Sequence, residues 1–244
     1  MDRPSPEISV AEDRQSLYRA VAERLTAAAR GDAAGRGAFH WALAGGSTPE
    51  GLYRLLAGPD FARRIPWPQV HAWFGDERCV PPGHPDSNYR MARSALLDHV
   101  AVGRVYRMAG EAEPREAAAA YARQLREALP APEGVPVLDL VVLGLGPDGH
   151  VASLFPDTDA LVSEAPVAAA YVPRLAAWRL SLTVPVINSA RRVWLLASGP
   201  DKAAVVATAL AEPGAQPLPV QRLAPRGEWL WFLDAAAAAE LPRP

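Results

Sequence analysis

The sequence predicts an α/β fold: a mainly parallel, Rossmann-like sheet covered by helices on both faces. Three observations carry this prediction. Short apolar runs of strand length alternate with segments whose apolar residues recur every three or four positions. Four of the strand-like runs end in a loop bearing glycine, the arrangement in which open parallel sheets gather ligands at the carboxyl ends of their strands. A chain of 244 residues, half of them hydrophobic, can bury a sizeable core, and residues 1–244 read as a single domain.

The elements follow in order. Within residues 11 to 30, Leu17, Val21, Leu25 and Ala28 recur at helical spacing, and "GDAAGRG" then breaks the pattern. "AFHWALAGG" reads as a buried strand closing in glycines; the helix "STPEGLYRLLA" follows, with Ser47 or Thr48 as N-cap and Pro49 near its first position. "VHAWFG" runs into "DER", and after a proline-rich loop Ser87 can cap the helix "NYRMARSALLDHV". "PREAAAAYARQLREAL" places Tyr121, Leu125 and Leu129 on one helical face before the strand "VLDLVVLG". "WRLSLTV", "RRVWLLAS" and "EWLWFLD" read as further strands, with "DKAAVVATALA" helical between the last two. The loops "GGSTP", "GDER", "GLGPDGH" and "SGPDK" are expected to meet in one crevice.

Composition narrows the function classes. Net charge is −2 without a long run of like charge, which argues against a nucleic-acid partner or a basic membrane patch. Any anionic ligand must be held by a few placed groups. Cys79 is the single cysteine, so no intrachain disulfide forms, and the chain is expected to be cytoplasmic. The start "MDRPSPEISV" lacks the apolar core of an export signal, and no stretch approaches 18 uninterrupted apolar residues. The five histidines show no H-x-x-x-H pair and no cysteine partner at metal spacing, so no metal is expected.

Residues 144 to 150, "GLGPDGH", satisfy the G-x-G-x-x-G dinucleotide pattern with Gly144, Gly146 and Gly149. That pattern needs a crossover helix and a second strand ending in an acid about 20 residues on. Glu164 has the distance, but "HVASLFPDTDALVS" with Pro156 is neither helix nor strand, so no nicotinamide cofactor is expected. His150 is either the surface residue of a tight turn or a base in the first turn of a helix "HVASLF". A helix N-terminus favours the neutral imidazole and Asp148 favours the charged one; the sequence leaves the balance open. "GGST" suits a phosphate through backbone N–H groups and two hydroxyls, and equally suits an ordinary N-cap. Asp76 with Arg78, and Lys202, read by themselves as exposed charges. Arg179 stands apart, since an arginine in an otherwise apolar strand calls for a partner or a ligand. Cys79 beside Arg78 lacks a histidine partner and reads as inert.

Taken together, "LAGGSTPEGLYRLLA", "WFGDERCVPPGHPDSNYRMARSALL", "LDLVVLGLGPDGHVASLFPDT", "RLSLTVPVINSARRVWLLASGPDK" and "WFLDAAAAAEL" resemble, in this order, the segments of the 6-phosphogluconolactonase family. The likeness covers nearly the whole chain after the first helix. It implies hydrolysis of 6-phospho-D-glucono-1,5-lactone to 6-phosphogluconate in the oxidative pentose phosphate pathway, without an organic cofactor. The partner would be a small sugar-phosphate lactone. By motif match His150 would be the general base, and Arg78 would steady developing charge or the phosphate, with Asp76 holding the loop. Gly45, Gly46, Ser47, Thr48, Arg179 and Lys202 would bind the phosphate, and Asp148 and Gly149 would lie on the substrate site.

Two other readings are weaker. Glucosamine-6-phosphate deaminases share the glycine loop and the GxDGH element. They carry a tyrosine where this chain has Arg78 and an "AFNEP"-like stretch where it has "ASLFP". A non-catalytic sugar-phosphate sensor would need a DNA-binding module, for which the chain has neither a spare domain nor a basic face.

Overall fold

The computed structural model describes residues 4–156 and 158–242. The part of the N-terminal reading that rests on Met1 to Arg3 therefore lies outside the described residues. In chain order the elements are β1 (Glu7–Ala11), α1 (Arg14–Arg36), β2 (Phe39–Leu43), α2 (Ser47–Ala57), β3 (Val70–Phe74) and β4 (Asp76–Arg78). Next come α3 (Asn88–Ala92), β5 (Arg104–Val105), α4 (Pro114–Ala128), β6 (Leu140–Gly144), β7 (Val167–Val172) and β8 (Ala177–Leu182). The chain closes with α5 (Val184–Ser189), β9 (Arg192–Ala197), α6 (Ala203–Leu210) and β10 (Glu228–Asp234).

Among the described residues, seven strands form a sheet in the order β1-β10-β9-β6-β2-β3-β5, every neighbouring pair parallel. The α/β class with a mainly parallel sheet is therefore as the sequence predicts. The strands of the middle are buried on both faces: Leu140, Val141 and Val142 of β6 are sealed from solvent, each worth about 1.5–3 kcal/mol of apolar transfer. Trp41, Trp73, Trp194 and Trp231 are among the largest fully buried side chains, one on each of β2, β3, β9 and β10.

Connections from β2 step towards β5, whereas those from β6 step through β9 to β10, so the strand order reverses between β2 and β6. In open α/β sheets this switch point leaves a crevice at the carboxyl ends of the two strands. "GGST" leaves β2 and "GLGPDGH" leaves β6, which places both loops there. A smaller antiparallel sheet, β4-β8-β7, stands beside the crevice; Gly75 joins it to the main sheet, donating to Leu43 O and accepting from Leu182 N, each at 2.8 Å.

Four sequence expectations need correction. α1 runs through "GDAAG" to Arg36 and stops at Gly37, whose left-handed backbone (φ 79°) ends it. Buried Asp32 holds that extra length in place by pairing with Arg36 at 2.6 Å and Arg192 at 2.7 Å. Neither Ser47 nor Thr48 is the N-cap of α2: Gly46 is, without a side-chain bond, so both residues belong to the helix itself. β1, β5, β7 and the short helix α5 were not expected. No helix follows His150, because Val151 to Leu154 close a tight turn (Leu154 N to Val151 O, 2.9 Å) in which Ser153 N and Oγ bond to Ser181 and Asp76. The caps at Asp13 and Ser87 are side-chain bonded, to Ser16 N at 2.7 Å and Arg90 N at 3.1 Å. Among the described residues no helix is long and apolar enough to cross a membrane.

Candidate active site

The four loops meet as expected. A cleft of about 600 Å³ is lined by Gly45 to Thr48, Asp76, Arg78, His150, Arg179 and Lys202. Asp148 and Gly149 are not on its wall; they sit behind the histidine. Asn88, Ser153, Phe155 and Arg174, which sequence reasoning did not single out, also line it.

His150 is held by its own loop. Gly146 N donates to His150 O at 2.8 Å and Gly149 N to Gly146 O at 3.0 Å, closing a turn that needs the left-handed backbone of Gly149 (φ 74°). Gly146 lies so close beneath the imidazole that a Cβ there would strike the ring at Nδ1 and Cε1. Gly146 and Gly149 thus shape the turn that holds the histidine. The ring packs on Phe155 with centroids 4.1 Å apart, and His150 Nδ1 meets Asp148 Oδ1 at 2.5 Å. The His150 side chain keeps 23% of its surface exposed. Burial works to raise the Asp148 carboxyl, but the hydrogen bond and charge of His150 outweigh it and hold the group below its ordinary value. The second Asp148 oxygen accepts from Arg174, whose guanidinium stands 4.9 Å over the Phe155 ring.

Asp76 is buried and works as a tie. It accepts from Ser153 Oγ at 2.6 Å and from Asn88 Nδ2 at 3.0 Å, joining β4 to the turn after His150. Glu77, only 2% exposed, receives the backbone N–H groups of Arg78, Asn88 and Tyr89 at 2.7–2.8 Å and the Ser87 hydroxyl at 3.0 Å. Burial pushes its carboxyl up despite these donors. The sequence carried a signal for Glu77 in the capping residue Ser87 ten positions on, but a cap does not reveal which carboxylate backs it.

Arg78 and Arg179 face each other directly across the β4–β8 ladder. Their hydrogen bonds go to main-chain carbonyls: Arg78 Nη1 donates to Asp86 O and Arg179 Nη1 to Trp178 O, at 2.5 and 3.0 Å. Burial, and after it the charge of Arg78, pull Arg179 below its ordinary value. Two like charges opposed in a ladder cost free energy unless an anion lies between them. Lys202 ends a short turn before α6, and its nearest carboxylate is the exposed Asp201 at 3.5 Å. With Arg174, four cations thus border a cleft whose one lining carboxylate among the described residues, Asp76, is already engaged. Among the described residues, no cluster of three or more His, Cys, Asp or Glu is placed to hold a metal ion. Burial pushes the Cys79 thiol up to about 11, which fits the inert reading.

Residues 12–231 match the model of the family described as glucosamine-6-phosphate isomerases/6-phosphogluconolactonase. The chain belongs to this family. Within it, the chain is 41% identical to the 6-phosphogluconolactonase of Streptomyces coelicolor over 98% of its length and 96% of that protein's. It is 36% identical to the 6-phosphogluconolactonase of Mycobacterium tuberculosis over 98% and 99%. The solved 6-phosphogluconolactonase of Trypanosoma brucei superposes with a TM-score of 0.88 at 31% identity, covering 99% of this chain and 100% of that one. These relatives place the chain in the lactonase branch. A monomeric glucosamine-6-phosphate deaminase superposes with a TM-score of 0.80 at 20% identity, which shows the shared fold alone.

Proposed function

We propose that the cleft performs its hydrolysis through His150 as general base, held by Asp148, with Arg78 beside the reacting carbon and Arg179, Lys202 and the Gly45–Thr48 loop on the phosphate. The reaction is that of the lactonase branch, hydrolysis of 6-phosphogluconolactone to 6-phosphogluconate. The observation that carries the assignment of roles is the His150–Asp148 pair at the switch point of the sheet, beside Arg78, Arg179 and Lys202 and, among the described residues, with no acid on the cleft wall except the engaged Asp76.

With Nδ1–H donated to Asp148, the other ring nitrogen is free to accept. Water bonds to C1 as its proton passes to Nε2, and the carbonyl oxygen becomes an oxyanion for Arg78 to steady. As the C1–ring oxygen bond breaks, Nε2 returns the proton to the departing oxygen. His150 ends neutral, and the new carboxylic acid ionises. The phosphate held at the far end fixes C1 against the base, so remote contacts contribute to rate. Asp76 takes no part in proton transfer here; it holds the His150 turn and Asn88 in register. Asp148, which the family resemblance puts on the substrate site, acts through the imidazole instead. In this reading residues 1–244 work as one cytoplasmic domain on the 1,5-lactone, with neither nucleic acid nor membrane as partner.

The test is an assay on freshly generated lactone with the spontaneous hydrolysis subtracted. His150→Ala should lower kcat by roughly 10²-fold or more while the circular dichroism spectrum is unchanged. A folded variant with near-native kcat removes His150 from the mechanism.

A further inference from the structure

Asp148 has two carboxylate oxygens and two partners. His150 takes Oδ1 and Arg174 takes Oδ2, so one anion is shared between the base and a cation from a distant part of the chain. Arg174 lies in the turn Pro173–Leu175 that joins β7 to β8, and the turn is closed by Ala176 N donating to Pro173 O at 3.0 Å. Phe155 is the common floor, under the His150 ring at 4.1 Å and under the guanidinium at 4.9 Å. The small antiparallel sheet that presents Arg78 and Arg179 to the cleft thereby also reaches the back of the base.

We infer that Arg174 is a positioning residue for this reaction: it orients the Asp148 carboxylate against which the His150 ring is held. The inference rests on the assignment of His150 as the base. Left with one partner, the carboxylate can turn about its own bond and carry the Nδ1–H with it, so the base loses its aim at the reacting carbon. A guanidinium on the far oxygen prevents that rotation. The other charged groups on the cleft wall around the imidazole, among the described residues, are Asp76 and Arg78 from β4, Arg179 from β8 and Lys202 before α6. All four are left unchanged by a substitution at Arg174.

The measurement is the split between kcat and KM for the native enzyme, Arg174→Ala and Arg174→Lys, on both the phosphorylated lactone and plain glucono-1,5-lactone. With Arg174→Ala kcat should fall about three- to tenfold, equally on both substrates and with KM unchanged. Arg174→Lys should restore part of kcat, since it can still reach the carboxylate but lacks the planar fork. A folded Arg174→Ala variant with native kcat overturns the inference. So does a loss confined to KM for the phosphorylated substrate, which would make Arg174 a phosphate ligand instead. Failure of the underlying reading looks different: there His150→Ala itself keeps near-native kcat.

Discussion

At the scale of single residues, Arg179 shows how an unfavourable feature points to a ligand. An arginine in the strand "WRLSLTV" was legible in the sequence as a residue wanting a partner. Its cross-strand neighbour Arg78 was not legible as such, because register between β4 and β8 depends on contacts 101 positions apart in the chain. The structure supplies two opposed cations and lets burial and Arg78 together depress Arg179. The charge therefore costs the free protein something and should be repaid when an anion binds. Arg179→Met keeps the hydrophobic stem and removes the charge. For the phosphorylated lactone kcat/KM should drop on the order of 10- to 150-fold, equivalent to about 1.5–3 kcal/mol for a charge-assisted contact. Plain glucono-1,5-lactone should lose little. Without phosphate the thermal midpoint should be equal to or above that of the native protein, and inorganic phosphate should raise it less in the variant. A variant that is less stable and equally impaired on both lactones would give Arg179 a structural role.

At the scale of elements, the loops around the cleft are held by buried acids that sequence reading undervalued. In the run "GDER" Asp76 with Arg78 looked like solvated surface and Glu77 was not singled out, yet both carboxylates are buried and hydrogen-bonded. Exposure is a property of what packs on a segment, and neither the β8 strand over Glu77 nor the turn at Ser153 is local to it. The same limit explains the helix wrongly expected after His150. "HVASLF" has adequate helix formers, but Ser153 is drawn to Asp76 and Ser181, 77 and 28 positions away, and those tertiary bonds override propensity. By contrast the cap at Ser87 and the helix Pro114–Ala128 depend on neighbours in sequence and were legible. Glu77 ties the start of α3 to β4 through the N–H groups of Asn88 and Tyr89 and the Ser87 hydroxyl. Glu77→Ala should leave buried donors unpaired and lower unfolding stability on the order of 2–4 kcal/mol in urea titrations. It should also lower kcat by roughly tenfold as Arg78 loses its place. Glu77→Gln, which keeps one acceptor, should fall between the native protein and the alanine variant. Stability unchanged in the alanine variant would show that the loop is held by something else.

At the scale of the whole molecule, the sheet has a working end and a supporting end. The cleft occupies the carboxyl ends of β2, β6 and β9. The opposite halves of β2 and β3 carry His40 and His71, paired in register with rings 4.7 Å apart. Neither was assigned a role from sequence, and neither lines the cleft. His40 Nδ1 accepts from Trp73 Nε1 at 3.2 Å, a bond the protonated ring cannot accept. His71 Nδ1 is buried without a partner among the described residues. Burial first, then the charge of the other histidine for His40 and of Arg104 for His71, hold both below their ordinary value. For a base whose folded value is lowered, the unfolded chain takes up the proton first. The stability these neutral rings contribute is whole above the unfolded value of about 6.5 and is lost as pH falls from there towards the folded values. Asp148, Glu228 and Asp234, all held low against burial by their hydrogen bonds, add a second loss at lower pH, as protons reach carboxylates that the folded state keeps ionised. Thermal midpoints measured across pH should therefore begin to decline below about 6.5, well before the carboxylate range. His40→Asn combined with His71→Asn, which retains an acceptor for Trp73, should flatten the first decline and leave the second in place. A native midpoint that stays level down to pH 5, or a double variant that declines just as early, would show that the paired rings do not govern the response of the fold to acid.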